Sequence, residues 1–192
     1  MGKYINLGNA GFQSIRKGLY IDKSELISFI NETLGTKSKL TCVSRPRRFG
    51  KSFAIQMLCA YYDKSCDSKC LFEDLKIAKE PSFEKYLNHY DVIYLDITWF
   101  ISICKGNEDI VDYLQEQVIE ELLEIYPSID KEESLPLMLS EINEITGNKF
   151  IIIIDEWDAV IREAKDDSAA QEAYLNLLRG WFKNANFTPK AV

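Results

Sequence analysis

The chain has 192 residues, 46% hydrophobic and 28% charged, with a formal net charge of -7. That length suits one domain, or one and a fragment, of an ordinary soluble globular composition. The negative balance excludes a broadly cationic nucleic-acid surface, though not a local basic patch.

No apolar run approaches the ~18 residues that span a bilayer, and the N-terminus lacks the charged and apolar regions of a signal peptide. Met1-Gly2 does not start a myristoylation signal, because Asn6 stands where Ser or Thr is required. The cysteines are Cys42, Cys59, Cys66, Cys70 and Cys104. An odd set, partly inside expected core elements, fits free thiols in a reducing compartment, so a cytoplasmic location is expected. Cys66-x3-Cys70 is weak as a zinc site, since His89 is the sole histidine and no second cysteine pair exists.

Residues 1–21 hold Gly8, Gly11 and Gly18 among Phe12, Ile15 and Tyr20 and show no clear periodicity. Asp22-Lys23-Ser24-Glu25 then has the form of a capping box ahead of Leu26, Ile27, Phe29 and Ile30. This predicts a helix over about 23–34, with Gly35 at its C′ position. An apolar run at 40–43, read as the first strand, leads into Ser44-Arg45-Pro46-Arg47-Arg48-Phe49-Gly50-Lys51-Ser52.

Strand, phosphate-sized loop and helix in that order is the context in which Gly-Lys-Ser reads as a P-loop. Such a loop wraps backbone N–H groups around phosphate oxygens, and the helix N-terminus adds positive potential at the same spot. Gly50 lets the backbone come close, Lys51 reaches the β- and γ-phosphates, and the Ser52 hydroxyl ligates Mg²⁺. The strict pattern asks for glycine where Arg45 stands. On the loop alone, a surface turn, a nucleic-acid patch or a targeting signal competes.

The helix after Ser52 carries Phe53, Ile55, Met57, Leu58 and Tyr61, enough to pack one face on a sheet. Residues 63–91 are polar and irregular, with Pro81 and a short helix near 83–87, and read as a connection. His89 there reads as structural rather than catalytic. A second strand is expected at 92–97, its Asp96 a strand-end acid. Helices follow over 109–126, where Ile110, Leu114, Val118 and Leu122 recur at helical spacing, and over 135–146, closed by Gly147.

Phe150-Ile151-Ile152-Ile153-Ile154-Asp155-Glu156 is a β-branched run ending in two acids. It suits a strand buried on both faces of a parallel sheet. Ligands of open α/β sheets bind beyond the carboxyl ends of the strands, where these acids would lie. Asp155 then supports Mg²⁺, and Glu156 polarises the attacking water. The plainer reading is a core strand ending in a solvated acidic turn. Roughly a hundred residues separate this run from the loop, a workable spacing for the two motifs of one ATPase when an extra strand lies between. Trp157 and Asp158 follow, then a last helix over 171–184 with Tyr174, Leu177, Leu178, Trp181 and Phe182 on a broad apolar face. Residues 188–192 read as the approach to a further strand.

Tyr20-Ile21-Asp22-Lys23-Ser24, Arg45-Pro46-Arg47-Arg48-Phe49-Gly50-Lys51-Ser52 and Ile154-Asp155-Glu156-Trp157-Asp158, in that order, resemble the bacterial AAA-ATPase-like family from about Ile5 onward. In that family's loop pattern Arg45 is no defect. The resemblance implies an α/β fold, a three-layer αβα P-loop NTPase with a mainly parallel sheet of the additional-strand class, here C-terminally incomplete. Residues 1–35 then form an N-terminal segment with a helix leading into the core, and 36–192 the core itself.

By residue, the family pattern gives Gly50, Lys51 and Ser52 to ATP phosphates and Mg²⁺, Asp155 to Mg²⁺ and Glu156, with Lys51, to catalysis. Arg47, Arg48, Phe49 and Phe53 complete the nucleotide-binding set without individual roles. Members commonly carry a PD-(D/E)XK nuclease-like domain after the ATPase part. The strand that carries a polar sensor residue in this class would lie between the loop strand and the Ile-rich strand, and only residues 190–192 begin it. The expectation is therefore the N-terminal part of a longer protein or a truncated product, unfolding in urea with little cooperativity.

Three functions compete. The first is ATP binding with hydrolysis in the complete protein. The second is a nucleotide-dependent switch without significant turnover. The third is a nucleic-acid-handling module that uses Arg45, Arg47 and Arg48 together with the absent nuclease-like domain. A homo-oligomer is an expected partner arrangement if an arginine finger, from Arg162 or Arg179, acts in trans. No membrane partner is expected.

Overall fold

The computed structural model describes residues 2–44, 50–104, 110–130, 134–163 and 167–183. It is an α/β fold with many helices and a short parallel two-stranded sheet. The chain divides into two compact units, Met1–Val92 and Ile93–Val192. Among the described residues no helix is long and apolar enough to cross a membrane.

The first unit holds α1 (Ala10–Arg16), α2 (Glu25–Thr33), α3 (Lys51–Tyr62), 3₁₀ turns at Lys69–Leu71 and Lys76–Lys79, and α4 (Phe83–Tyr86). The second half of α3, Met57 to Tyr62, is buried on every side, while its first turn is open. Around it Phe12 stacks on Phe72 at 5.0 Å, and Tyr61 meets Phe72 edge-on at 5.4 Å. Such ring pairs contribute about 0.5–1.5 kcal/mol each beyond burial.

The tyrosine hydroxyls are satisfied inside this core. Tyr62 Oη donates to Asn31 Oδ1 at 2.8 Å, Asn31 Nδ2 donates to Tyr61 Oη at 3.1 Å, and Tyr61 Oη donates to the Phe83 carbonyl at 2.8 Å. Burial pushes the Tyr61 phenol up to about 12.

Residues 63–91, read as a connection, are part of this packing, with Phe72, Leu75, Ile77 and Phe83 buried. The N–H groups of Asn88 and Tyr90 cap the last carbonyls of α3, those of Tyr61 (2.7 Å) and Tyr62 (2.9 Å). Asp63 accepts from the Gly8 N–H at 2.6 Å. The fully buried Asp91 carboxylate takes the Asn6 amide at 2.7 Å and the Lys64 ammonium at 2.7 Å. His89 is exposed.

The second unit contains most of β1 (Asp91–Asp96), then α5 (Ile97–Ile103), α6 (Ile110–Ile125), α7 (Leu135–Thr146), β2 (Phe150–Asp155), α8 (Ala159–Glu163) and α9 (Ser168–Lys183). Helix α6 buries Ile110, Leu114, Val118 and Leu122, the residues whose spacing predicts it, and packs on α7 and α9. Helix α7 begins and ends at the expected residues, and Gly147 (φ 73°) closes it by donating to the Asn143 carbonyl at 2.8 Å. The last helix starts three residues earlier than expected, where Asp167 Oδ1 accepts the Ala170 N–H at 3.0 Å.

Several expectations are corrected. Residues 40–43 are not a strand: this stretch carries no regular structure, and Leu40 and Val43 are 50% and 46% exposed. A strand requires a neighbour for its N–H and C=O groups, and among the described residues none pairs with this run. The second strand ends at Asp96, not Ile97, because Asp96 Oδ1 accepts the Trp99 N–H at 3.1 Å and caps the unforeseen α5.

Of the box expected at 22–25, Asp22 Oδ1 accepts the Ser24 N–H at 2.8 Å, but α2 starts at Glu25 and its N-cap Ser24 makes no side-chain cap bond. Its hydroxyl instead accepts the Ile77 N–H at 3.1 Å. Helix α1, within the stretch without periodicity, is a seven-residue helix that packs on α3. The strand expected to begin at 188–192 lies outside the described residues.

Candidate functional site

In the first unit the site is built on the N-terminus of α3. Gly50 occupies the left-handed region (φ 79°, ψ 27°) as the N-cap residue, a turn that an L side chain enters only with strain. Its carbonyl accepts the Ala54 N–H at 3.1 Å, closing the first helical turn. Gly50 has no side chain with which to cap, so the first-turn donors point at whatever approaches the helix end. Lys51 is half-buried, Ser52 is exposed, and Phe53 is 50% exposed. Arg47, Arg48 and Phe49, with Arg45 and Pro46, lie outside the described residues.

Beside this turn is an open cavity of about 320 Å³, at the lower end of the range for small-molecule sites. One wall is Leu19, Tyr20 and Ile21; the other is Gly50, Phe53 and Met57 of the α3 side. The Tyr20 hydroxyl lies 3.2 Å from Met57 Sδ, and its ring meets Phe12 edge-on at 5.4 Å. Burial raises the Tyr20 phenol above its ordinary value, partly offset by the Lys23 N–H.

Asp22 also belongs to this wall's support. Its carboxylate accepts the N–H groups of Ser24 (2.8 Å) and Lys76 (2.8 Å). Burial pushes the carboxyl up, but these donors outweigh it, and Asp22 stays below the usual aspartate value.

In the second unit Asp155 ends β2 and Glu156 turns the chain. Asp155 Oδ1 accepts the Glu156 N–H at 2.9 Å, and the Glu156 carbonyl accepts the Ala159 N–H at 2.8 Å. Glu156 sits at φ 49°, a conformation costly for a residue with a long side chain and one that clusters at functional sites.

Arg162 engages this turn. Its Nη2 is 3.0 Å from Glu156 Oε2 and its Nη1 is 2.9 Å from Asp158 Oδ1. Arg162 is thus committed to acids of its own chain, and Arg179 donates to Asn176 Oδ1 at 2.9 Å. Trp157 is 44% exposed. Among the described residues no three His, Cys, Asp or Glu side chains gather into a metal-binding cluster.

Sequence reasoning missed the Arg162–Glu156 pair and the placement of Lys23. The Asp158–Arg162 spacing of four on a helix was a readable signal for the first. Lys23 stands inside the Tyr20–Ser24 motif, but its place beside Gly50 arises from contacts far apart along the chain.

A family model described as "Predicted AAA-ATPase" matches residues 6–191. No curated protein and no solved structure matches the chain.

Proposed function

The chain belongs to the AAA-ATPase-like family, and from that premise we propose that it binds Mg·ATP through a P-loop and hydrolyses it, on a three-layer P-loop NTPase fold. The observation that carries the reading is Gly50 in a left-handed turn at the head of α3, directly before Lys51 and Ser52. Backbone N–H groups and Lys51 take the phosphates, with Arg47, Arg48, Phe49 and Phe53 completing the loop's set.

The hydroxyl of Ser52 and the carboxylate of Asp155 are hard oxygen donors, the class that Mg²⁺ accepts beside phosphate oxygens and water. The ion would neutralise charge on the β- and γ-phosphates. Glu156 is the general base for the attacking water. A carboxylate fixed on a strained turn at the end of a strand supports that role.

A fluorescent ATP analogue with Mg²⁺ tests the phosphate site: the wild type binds and Lys51→Ala does not. Equal binding by both chains refutes the P-loop assignment. Glu156→Gln should keep affinity and lose phosphate release. Turnover unchanged in that variant removes Glu156 from the mechanism, and no turnover in either chain favours a switch that holds nucleotide without hydrolysis.

A further inference from the structure

Lys23 stands outside the loop, yet it reaches the loop's glycine. Its Nζ lies 2.8 Å from the point where a Cβ on Gly50 would stand. Lys23 and Gly50 also line the same open cavity of about 320 Å³.

The backbone that carries Lys23 is fixed on both sides. Asp22 accepts the Ser24 and Lys76 N–H groups, each at 2.8 Å, and the fully buried Ser24 accepts the Ile77 N–H at 3.1 Å. These bonds tie residues 22 and 24 to the 3₁₀ turn at Lys76–Lys79, so little further ordering is needed to aim the side chain between them. The result is an ammonium group beside Gly50, at the N-terminal end of α3. An anion seated at this helix end would meet the α3 dipole and the Lys23 ammonium together.

We propose that Lys23 is a second cationic ligand of the nucleotide phosphates, presented to Gly50 from across the cavity. The inference rests on the phosphate site proposed above and adds a residue that the loop motif does not contain. It also gives Asp22 and Ser24 a task, which is to hold the turn that aims Lys23. A lysine on a clamped turn acts as a point charge and suits a phosphate oxygen, whose position varies little once the loop has seated it.

The test is calorimetric titration of the 192-residue chain with Mg·ATP, Mg·ADP and adenosine, using wild type, Lys51→Ala, Lys23→Gln and Lys23→Arg. Loss of one charge-assisted contact predicts that Lys23→Gln binds ATP and ADP about 10- to 100-fold more weakly. Adenosine binding should be unchanged, and Lys23→Arg should recover most of the loss. Lys23 is exposed, so the ligand-free melting temperature of Lys23→Gln should match wild type.

If Lys51→Ala binds ATP like wild type, the phosphate site itself fails. If Lys51→Ala loses binding while Lys23→Gln keeps it, only the role of Lys23 is overturned. Equal weakening of ATP and adenosine, or a lowered ligand-free melting temperature, also overturns it by assigning Lys23 to the nucleoside or to the fold.

Discussion

Glu156 offers a test in which the sign of a stability change decides the matter. Its φ of 49° lies in the left-handed region, which costs an L-residue about 1–2 kcal/mol. Replacing it by glycine relieves that strain but loosens the unfolded chain, at a cost of about 0.4–1 kcal/mol. Replacing it by alanine keeps the strain. Both variants lose the half-exposed contact to Arg162, so that term cancels between them.

The difference of the mid-range values should leave Glu156→Gly about 0.8 kcal/mol more stable than Glu156→Ala, or roughly 2–3 °C in Tm for a chain of this size. The control is Glu172, exposed within α9 (Ser168–Lys183). There alanine should be the more stable by about 0.8–1 kcal/mol, the ordinary helical order. Thermal denaturation followed by far-UV circular dichroism measures both pairs. If alanine is as stable as glycine at position 156, the turn is not strained, and the argument that the fold spends stability to hold this carboxylate in place collapses.

Asp91→Ala should destabilise the first unit by about 3 kcal/mol, because it removes a buried carboxylate that meets both the Lys64 ammonium and the Asn6 amide. The figure is at the low end of the range, since the Lys64 side chain is 32% exposed and can turn to water; a urea midpoint barely shifted from wild type would contradict it. Asp22 predicts a pH dependence. Its native carboxyl is held below the ordinary value, so its stabilising contribution is complete above pH ~4–5 and is lost as pH falls through the native pKa. Wild type should therefore exceed Asp22→Asn in stability at neutral pH, and the gap should close in acid. A gap that persists unchanged at pH 2 would show that the N–H bonds to Ser24 and Lys76 do not depend on the charge.

Helices α6 and α7 and strand β2 were legible because their signals are local. Leu114, Val118 and Leu122 repeat at the spacing of one helix face, and residues 150–154 are branched or aromatic without interruption. Gly50-Lys51-Ser52 was legible as a helix start for the same reason. The run at 40–43 was misread because its apolar composition does not supply the neighbouring strand that would pair its backbone. The seven residues of α1 are too few to form a helix unaided, so no periodicity announced an element that exists by packing on α3. Asp22 and Ser24 were read as a helix cap because the motif fits one; Asp22 Oδ1 does accept the Ser24 N–H, but its Oδ2 and the Ser24 hydroxyl are taken by the N–H groups of Lys76 and Ile77.

From its own residues the sequence determined the helices with a repeated apolar face and the Ile-rich strand, and it supplied the residues proposed to serve a nucleotide: Lys51, Ser52, Asp155 and Glu156. Each of those signals is carried by residues within a turn or two of one another, where spacing alone fixes which side chains share a face. Tertiary structure decided that Asp91 is buried against Lys64 and Asn6, and that Lys23 stands over Gly50. Those contacts join groups whose partners are chosen by packing and by competition for hydrogen bonds, and for Asp91 with Asn6 the separation is 85 residues along the chain. Such pairings depend on how the elements close upon one another, a property that no local pattern encodes.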